Sequence, residues 1–272
     1  KEKIESARQV KGISFEEDYK RIYPYNSLAC RILGFTSSGN VGNWGIEQSY
    51  NEQLNGVNGR AYYYFNEELD QEQTVKEAKN GNSVVSTIDM QIQKIIEEKL
   101  NDFDSKIGSK VTNILVMDPQ NGEILGKKKT IYDEFYELWR NEIISDTNEP
   151  GSTYKPFTVA TGLESGALTG NESYFCTGSL MVGKRNIGCS HVHGNITLKD
   201  AVAKSCNVAM MNIAFNEGAE TFYNYQNLFG FGRSTGIDLP GEAETKNLVY
   251  NASNYSNSVT LATNAFGQNF NC

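Results

Sequence analysis

An α+β fold is predicted for this chain, on two observations. Val84-Val85-Ser86-Thr87-Ile88 is a β-branched run of strand composition, and it leads into a segment whose Ile92, Ile95, Ile96 and Leu100 recur at helical spacing. Ile114–Asp118 and Gly122–Leu125 then read as a hairpin reversing at Asn121-Gly122, a pair that accepts the positive φ of a tight turn. Both periodicities are therefore present.

The elements follow in order. The first eighty residues are polar and mixed, and nothing in them has the look of a catalytic group. A boundary is predicted near Asn80-Gly81-Asn82, dividing the chain into residues 1–80 and 81–272. Asp89 is placed to cap the helix that carries Ile92 to Leu100. Pro150 and Gly151 interrupt the chain again, and Phe157, Val159, Ala160 and Leu163 predict a helix beginning near Ser152 and ending before Gly166. With 272 residues, 39% of them apolar and 11% aromatic, the chain suits one large or two ordinary domains with a packed core.

Charge narrows the function. A formal net charge of −8 and scattered basic residues argue against a nucleic-acid partner, which calls for a basic stripe. Lys127-Lys128-Lys129, the short basic cluster, reads as a solvated loop. No run approaches the roughly 18 apolar residues of a membrane span, and no signal peptide opens the sequence. Gly230-Phe231-Gly232 follows no clear strand and is not read as a nucleotide loop.

The chemistry concentrates in Glu149-Pro150-Gly151-Ser152-Thr153-Tyr154-Lys155. Residues three apart on a helix have Cβ atoms about 5–6 Å apart, so Lys155 is expected to hydrogen-bond the Ser152 hydroxyl. A lysine desolvated in a pocket loses its proton more readily and takes the one on serine, making Ser152 a nucleophile. The helix N-terminus adds partial positive charge where an oxyanion would form. Ser-x-x-Lys alone is common by chance. Ser205-Cys206-Asn207, short polar side chains inside the apolar run Ala201–Met211, raises its weight, because such a pair shuttles a proton and holds a substrate amide.

Together, Ser152-x-x-Lys155 and Ser205-x-Asn207 resemble the first two active-site motifs of penicillin-binding proteins and serine β-lactamases. Leu138-Trp139-Arg140-Asn141, Ser145-Asp146, Phe229-Gly-Phe-Gly232, Thr235-Gly-Ile-Asp-Leu-Pro-Gly-Glu242 and Phe266-Gly267-Gln268 are similar to class B penicillin-binding proteins, the monofunctional D,D-transpeptidases. Lys11-Gly12-Ile13-Ser14, Gly42-Asn43-Trp44-Gly45 and Gly59-Arg60 resemble their N-terminal pedestal domain. The resemblance implies an antiparallel sheet covered by helices, a helical subdomain and a β-rich pedestal over residues 1–80. It also implies a Lys-Thr/Ser-Gly strand beyond Cys272 and an N-terminal anchor holding the protein on the outer face of the cell membrane. The partners it implies are peptidoglycan stem peptides, β-lactam antibiotics and a glycosyltransferase of the wall-synthesis complex. No cofactor is needed for acylation. Its alternatives are a serine β-lactamase or β-lactam sensor, and a non-catalytic scaffold.

Cys176, Cys189, His191 and His193 form a second constellation, holding both histidines and two of the five cysteines. Two Cys and two His are favoured donors for a tetrahedral structural Zn2+. Cys189-x-His191-x-His193 in a straight strand spans roughly 13 Å at about 3.3 Å per residue, so the segment must turn or only one pair can bind. A Cys176–Cys189 disulfide and an incidental grouping are the other readings. Cys30 and Cys206 are read as small buried side chains.

Overall fold

The computed structural model describes residues 20–68, 71–109, 111–131 and 141–272. The Lys11-Gly12-Ile13-Ser14 and Leu138-Trp139-Arg140 motifs lie outside the described residues. Two compact units form: the described residues up to Ile143 with Asp238–Pro240, and Ile144–Ile237 with Gly241–Cys272. The described strands pair antiparallel, as two-stranded ribbons, in keeping with an α+β chain.

The first unit begins with α1 (Cys30–Leu33), the ribbon of β1 (Phe35–Ser37) and β2 (Val41–Asn43), and the short helices α2 (Gly45–Ser49) and α3 (Asn51–Leu54). A Cβ on Gly42 would lie 1.8 Å from the Glu47 carbonyl oxygen, so backbone contact, not chemistry, requires glycine in that motif. Glu47 in turn holds Arg21, Nε to Oε1 at 2.8 Å and Nη2 to Oε2 at 3.0 Å. The ribbon of β3 (Arg60–Phe65) and β4 (Gln71–Lys76) follows. The Tyr50 hydroxyl donates to Asp238, which lies in the same unit.

Helix α4 (Met90–Ile107) starts where predicted: Asp89 Oδ1 accepts from the Gln91 and Ile92 amides at 2.8 and 2.9 Å. It buries Ile96 and Leu100 and packs on the hairpin of β5 (Val111–Met117) and β6 (Ile124–Ile131). Gly122, at φ 79°, makes the turn. Two expectations fail here. Val84–Ile88 is not a strand; Thr87 Oγ1 donates to the Ile124 carbonyl and the Asp89 amide to that of Leu125, no ladder forms among the described residues, and Val85 stays 94% exposed. β-Branched composition favours extended backbone, while a strand also needs a partner edge. The lysine cluster lies in β6, not a solvated loop, and Lys127 is buried because the Gln93 side chain takes both its backbone groups. Among the described residues no helix is long and apolar enough to cross a membrane.

The second unit carries the larger core. After α5 (Glu142–Ser145), a 3-10 turn at Gly151–Tyr154 runs into α6 (Lys155–Glu164). The ribbons follow: β7 (Ser173–Cys176) pairs with β10 (Gly194–Thr197), and β8 (Ser179–Val182) with β9 (Arg185–Gly188). Then come α7 (Leu198–Ala203), α8 (Asn207–Glu217), α9 (Ala219–Leu228), α10 (Ala252–Tyr255) and α11 (Ser258–Asn264). Helix α8 buries Val208 to Met211, Ile213 and Ala214 on several sides at once, so it takes the central place with α6, α9, α11 and β7 against it. Tyr154, 2% exposed, sits among Phe157, Phe222, Phe231 and Phe270 with ring centroids 5.0–6.1 Å away, and this cluster anchors the turn carrying Ser152.

Candidate active site

The predicted catalytic residues meet in the second unit. Ser152 is exposed on the 3-10 turn, and Lys155, at the first position of α6, is buried at 2% exposure. The apolar run Ala201–Met211 is broken between α7 and α8 by Ser205, whose φ of 55° is left-handed. Such a conformation costs about 1–3 kcal/mol in a non-glycine residue and persists when its surroundings demand it. Here it turns both the carbonyl and the hydroxyl of Ser205 to Lys155.

The Lys155 ammonium donates to Ser205 O, Ser205 Oγ and Asn207 Oδ1, each at 2.7 Å. Those three bonds use its three hydrogens. All three acceptors are uncharged, and burial therefore pushes the Lys155 pKa below the ordinary lysine value, with the nearby Cys189 and Cys206 thiols opposing. Ser205 Oγ donates to Ser152 Oγ at 3.0 Å. Asn207 is itself held, Nδ2 donating to the Gly188 carbonyl at 3.1 Å. Thus the expected contact between Lys155 and Ser152 is made through Ser205. The reason is local: Ser152 and Lys155 straddle the junction of a 3-10 turn and an α-helix, so the spacing of a continuous α-helix does not apply to them.

The cysteine and histidine constellation is only partly as predicted. Cys176, Cys189, His193 and Cys206 bring one donor atom each to within 4.8 Å of one another. The loop between β9 and β10 supplies the turn that a straight strand could not. Cys189 Sγ lies 3.7 Å from His193 Nδ1 and 3.9 Å from Cys206 Sγ. His191 is exposed; its carbonyl, 3.6 Å from Cys176 Sγ, faces the cluster, and its ring is not among the donors. Residues 189, 191 and 193 would share one face of an extended strand; the bend of the loop between β9 and β10 instead leaves the His191 ring outside the donor set while bringing Cys189 and His193 together. Cys206 takes its place, although its sequence context, like that of Cys30, reads as a small buried side chain; its position between Ser205 and Asn207 is the available signal. All five cysteines are free thiols, Cys176 and Cys189 included. Burial disfavours the Cys189 thiolate, but the Val208, His191 and Asn207 amides and the Cys206 thiol outweigh it and bring the pKa down to about 7. Burial pushes that of Cys206 up.

Family comparison agrees with this geometry. Residues 112–268 match the penicillin binding protein transpeptidase domain, and residues 1–86 the penicillin-binding protein dimerisation domain. Stage V sporulation protein D of Bacillus subtilis is 30% identical over 283 residues, covering 96% of this chain and 42% of that protein. Peptidoglycan D,D-transpeptidase FtsI of Buchnera aphidicola is 30% identical over 249 residues, covering 87% of this chain and 43% of that protein. The chain thus spans less than half the length of these relatives. Penicillin binding protein 3 of Mycobacterium tuberculosis, solved in complex with ampicillin, superposes with a TM-score of 0.78 at 25% identity, over 92% of this chain and 54% of that one. With both domains matched in order, and with the two serine motifs brought into one hydrogen-bonded site, the chain belongs to the class B penicillin-binding proteins.

Proposed function

We propose that this chain carries the nucleophile of a peptidoglycan D,D-transpeptidase, with Ser152 as nucleophile, Lys155 as base, Ser205 as proton relay and Asn207 as holder of Lys155 and of the acyl-chain amide. The observation that carries this reading is the unbroken chain Ser152–Ser205–Lys155–Asn207, at 3.0, 2.7 and 2.7 Å. Ser152 Oγ attacks the carbonyl between the two terminal D-alanines of a stem peptide, and its proton passes by way of Ser205 to a neutral Lys155. The C–N bond then breaks, the proton is returned through Ser205 to the departing D-alanine amine, and an ester on Ser152 remains. An amine of a neighbouring stem attacks that ester, forming the cross-link and restoring the Ser152 hydroxyl. A β-lactam acylates the same serine, in line with the relative solved with ampicillin. Intact-protein mass spectrometry with a penicillin tests this: one stable adduct is expected, lost in Ser152→Ala. Specific labelling that survives in that variant would overturn the assignment, and rapid release of hydrolysed drug would mark a β-lactamase.

The division near residue 80 into a pedestal and a transpeptidase domain, attachment to the outer face of the membrane by a segment preceding this chain, and a separate glycosyltransferase partner belong to the same proposal. They are supported by the dimerisation-domain match over 1–86 and by the relatives' place in the family.

Cys176, Cys189, His193 and Cys206 fit a closed structural Zn2+ site. Zn–S bonds of about 2.3 Å set tetrahedral donors about 3.8 Å apart, close to the 3.9 and 3.7 Å separations present here. With four protein ligands no position is left for substrate, so the ion would brace Asn207, whose amide donates to Cys189 Sγ at 3.2 Å. Metal analysis is expected to find about one zinc per chain, with chelation lowering the melting temperature; a metal-free protein of unchanged stability would reject the site.

A further inference from the structure

The Ser152 loop is tied to a distant segment. The Asn148 and Cys272 backbones exchange a pair of hydrogen bonds, both 3.1 Å, and the Gly151 amide donates to the Gly267 carbonyl at 2.7 Å. The Glu149 carboxylate accepts from the Asn269 amide at 2.6 Å, and Thr158 Oγ1, one turn into α6, donates to the Ala265 carbonyl at 2.8 Å. This stretch is anchored in turn by the buried Phe266 and by Phe270, 5.1 Å from Tyr154 between ring centroids. Gly267 is the tightest point. It is buried, at φ 78°, and a Cβ there would stand 2.0 Å from the Gly151 carbonyl oxygen and 2.7 Å from its nitrogen. Only glycine allows that approach.

Gly151 directly precedes Ser152, so the Gly151 amide plane sets where the serine Cα and hydroxyl point. We propose that Gly267 and Glu149 are positioning residues for Ser152: the Gly267 backbone and the Glu149 carboxylate hold residues 148–151 against 267–272 so that Ser152 Oγ stays within reach of Ser205. Neither touches the reacting atoms. The proposal rests on Ser152 being the nucleophile, and it assigns the Phe266-Gly267-Gln268 motif a role in the acylation step.

The test uses the full-length protein and a fluorescent penicillin, with rapid mixing to separate the dissociation constant of the first complex from the acylation rate constant. Misplacement by about 1 Å costs up to about 100-fold in rate, so Gly267→Ala is expected to lower the rate constant about 10- to 100-fold, with initial binding changed less than about threefold. Glu149→Gln keeps the shape and loses the charge-assisted bond, for an expected loss of about 3- to 10-fold at unchanged melting temperature. Gly166→Ala is the control, because Gly166 has the same left-handed φ of 76° with nothing within 4 Å of its Cβ position; its rate constant should match the parent. Parental rate constants in both clamp variants, a loss confined to initial binding, or an equal loss in Gly166→Ala would overturn the proposal. If Gly267→Ala does not fold, Glu149→Gln decides. Labelling that persists in Ser152→Ala would instead sink the nucleophile assignment, whatever the clamp variants do.

Discussion

Gln93 on α4 and Lys155 on α6 are both helical, polar and almost wholly buried, at 1% and 2% exposure, yet they serve different ends. Gln93 is a neutral amide matched to the edge of β6: its Oε1 accepts from the Lys127 amide at 2.8 Å and its Nε2 donates to the Lys127 carbonyl at 3.0 Å. Ile96 and Leu100 bury beside it, and the result is a helix fastened to a hairpin. Lys155 is a cation given three neutral acceptors, and the residues buried beside it on α6 are Thr158, Thr161 and Gly162. A buried amide with both ends satisfied is structural economy. A buried cation without a carboxylate partner is destabilised as a cation, and that is what a base requires.

Substitutions at the two buried groups should have opposite effects. Lys155→Met keeps the length and removes the charge, and it should lower penicillin acylation by about 1,000-fold or more while the protein still folds, because nucleophile activation is lost outright. An acylation rate within tenfold of the parent would remove Lys155 from the chemistry. In the parent, the rate should rise with pH and level off below the ordinary lysine pKa, since a neutral Lys155 is the active form and burial depresses its pKa; a profile flat from pH 6 to 10 would contradict this.

Gln93→Leu is the matched opposite. It should cost about 2 kcal/mol of stability in the first unit, because Lys127 loses both backbone partners, and leave acylation per folded molecule unchanged. A loss of acylation at full stability would show that the two buried groups are not of different kinds.

A last effect concerns Glu217, at the end of α8, buried with neither carboxylate oxygen hydrogen-bonded among the described residues. Burial pushes its pKa up to about 8. An unfolded chain loses this proton near the ordinary carboxylate pKa of about 4.3 while the folded one keeps it, so stability falls as pH rises between those values and is level above them. Glu217→Gln should flatten that slope, by on the order of 2 kcal/mol between pH 5 and 8.5. Equal slopes in melting experiments would show that the carboxyl is ionised in the fold.

Legibility followed the range of the interaction. The Asp89 cap, the Asn121-Gly122 turn and the helix around Ile96 and Leu100 depend on neighbours in sequence, and each formed where the residues place it. Val84–Ile88 depended on a partner edge, which composition does not report. On α6 the apolar spacing pointed to Phe157 and Leu163, yet Leu163 is 46% exposed and the buried face is polar, because that face meets Ser205, Asn207 and Ala265 from elsewhere in the chain. Cys206 replaced His191 among the clustered donors for the same reason: which thiols converge is decided by how α8 meets the loop after β9.

Residue types at short spacings carried the α+β class and the family, and they pointed to the four residues that meet in the candidate serine site. Long-range packing set the rest: Lys155 reaches Ser152 through Ser205, Cys206 joins the thiol cluster, and Gly267 lies against Gly151. These are contacts between segments tens of residues apart, and packing of the intervening chain sets them to within an ångström.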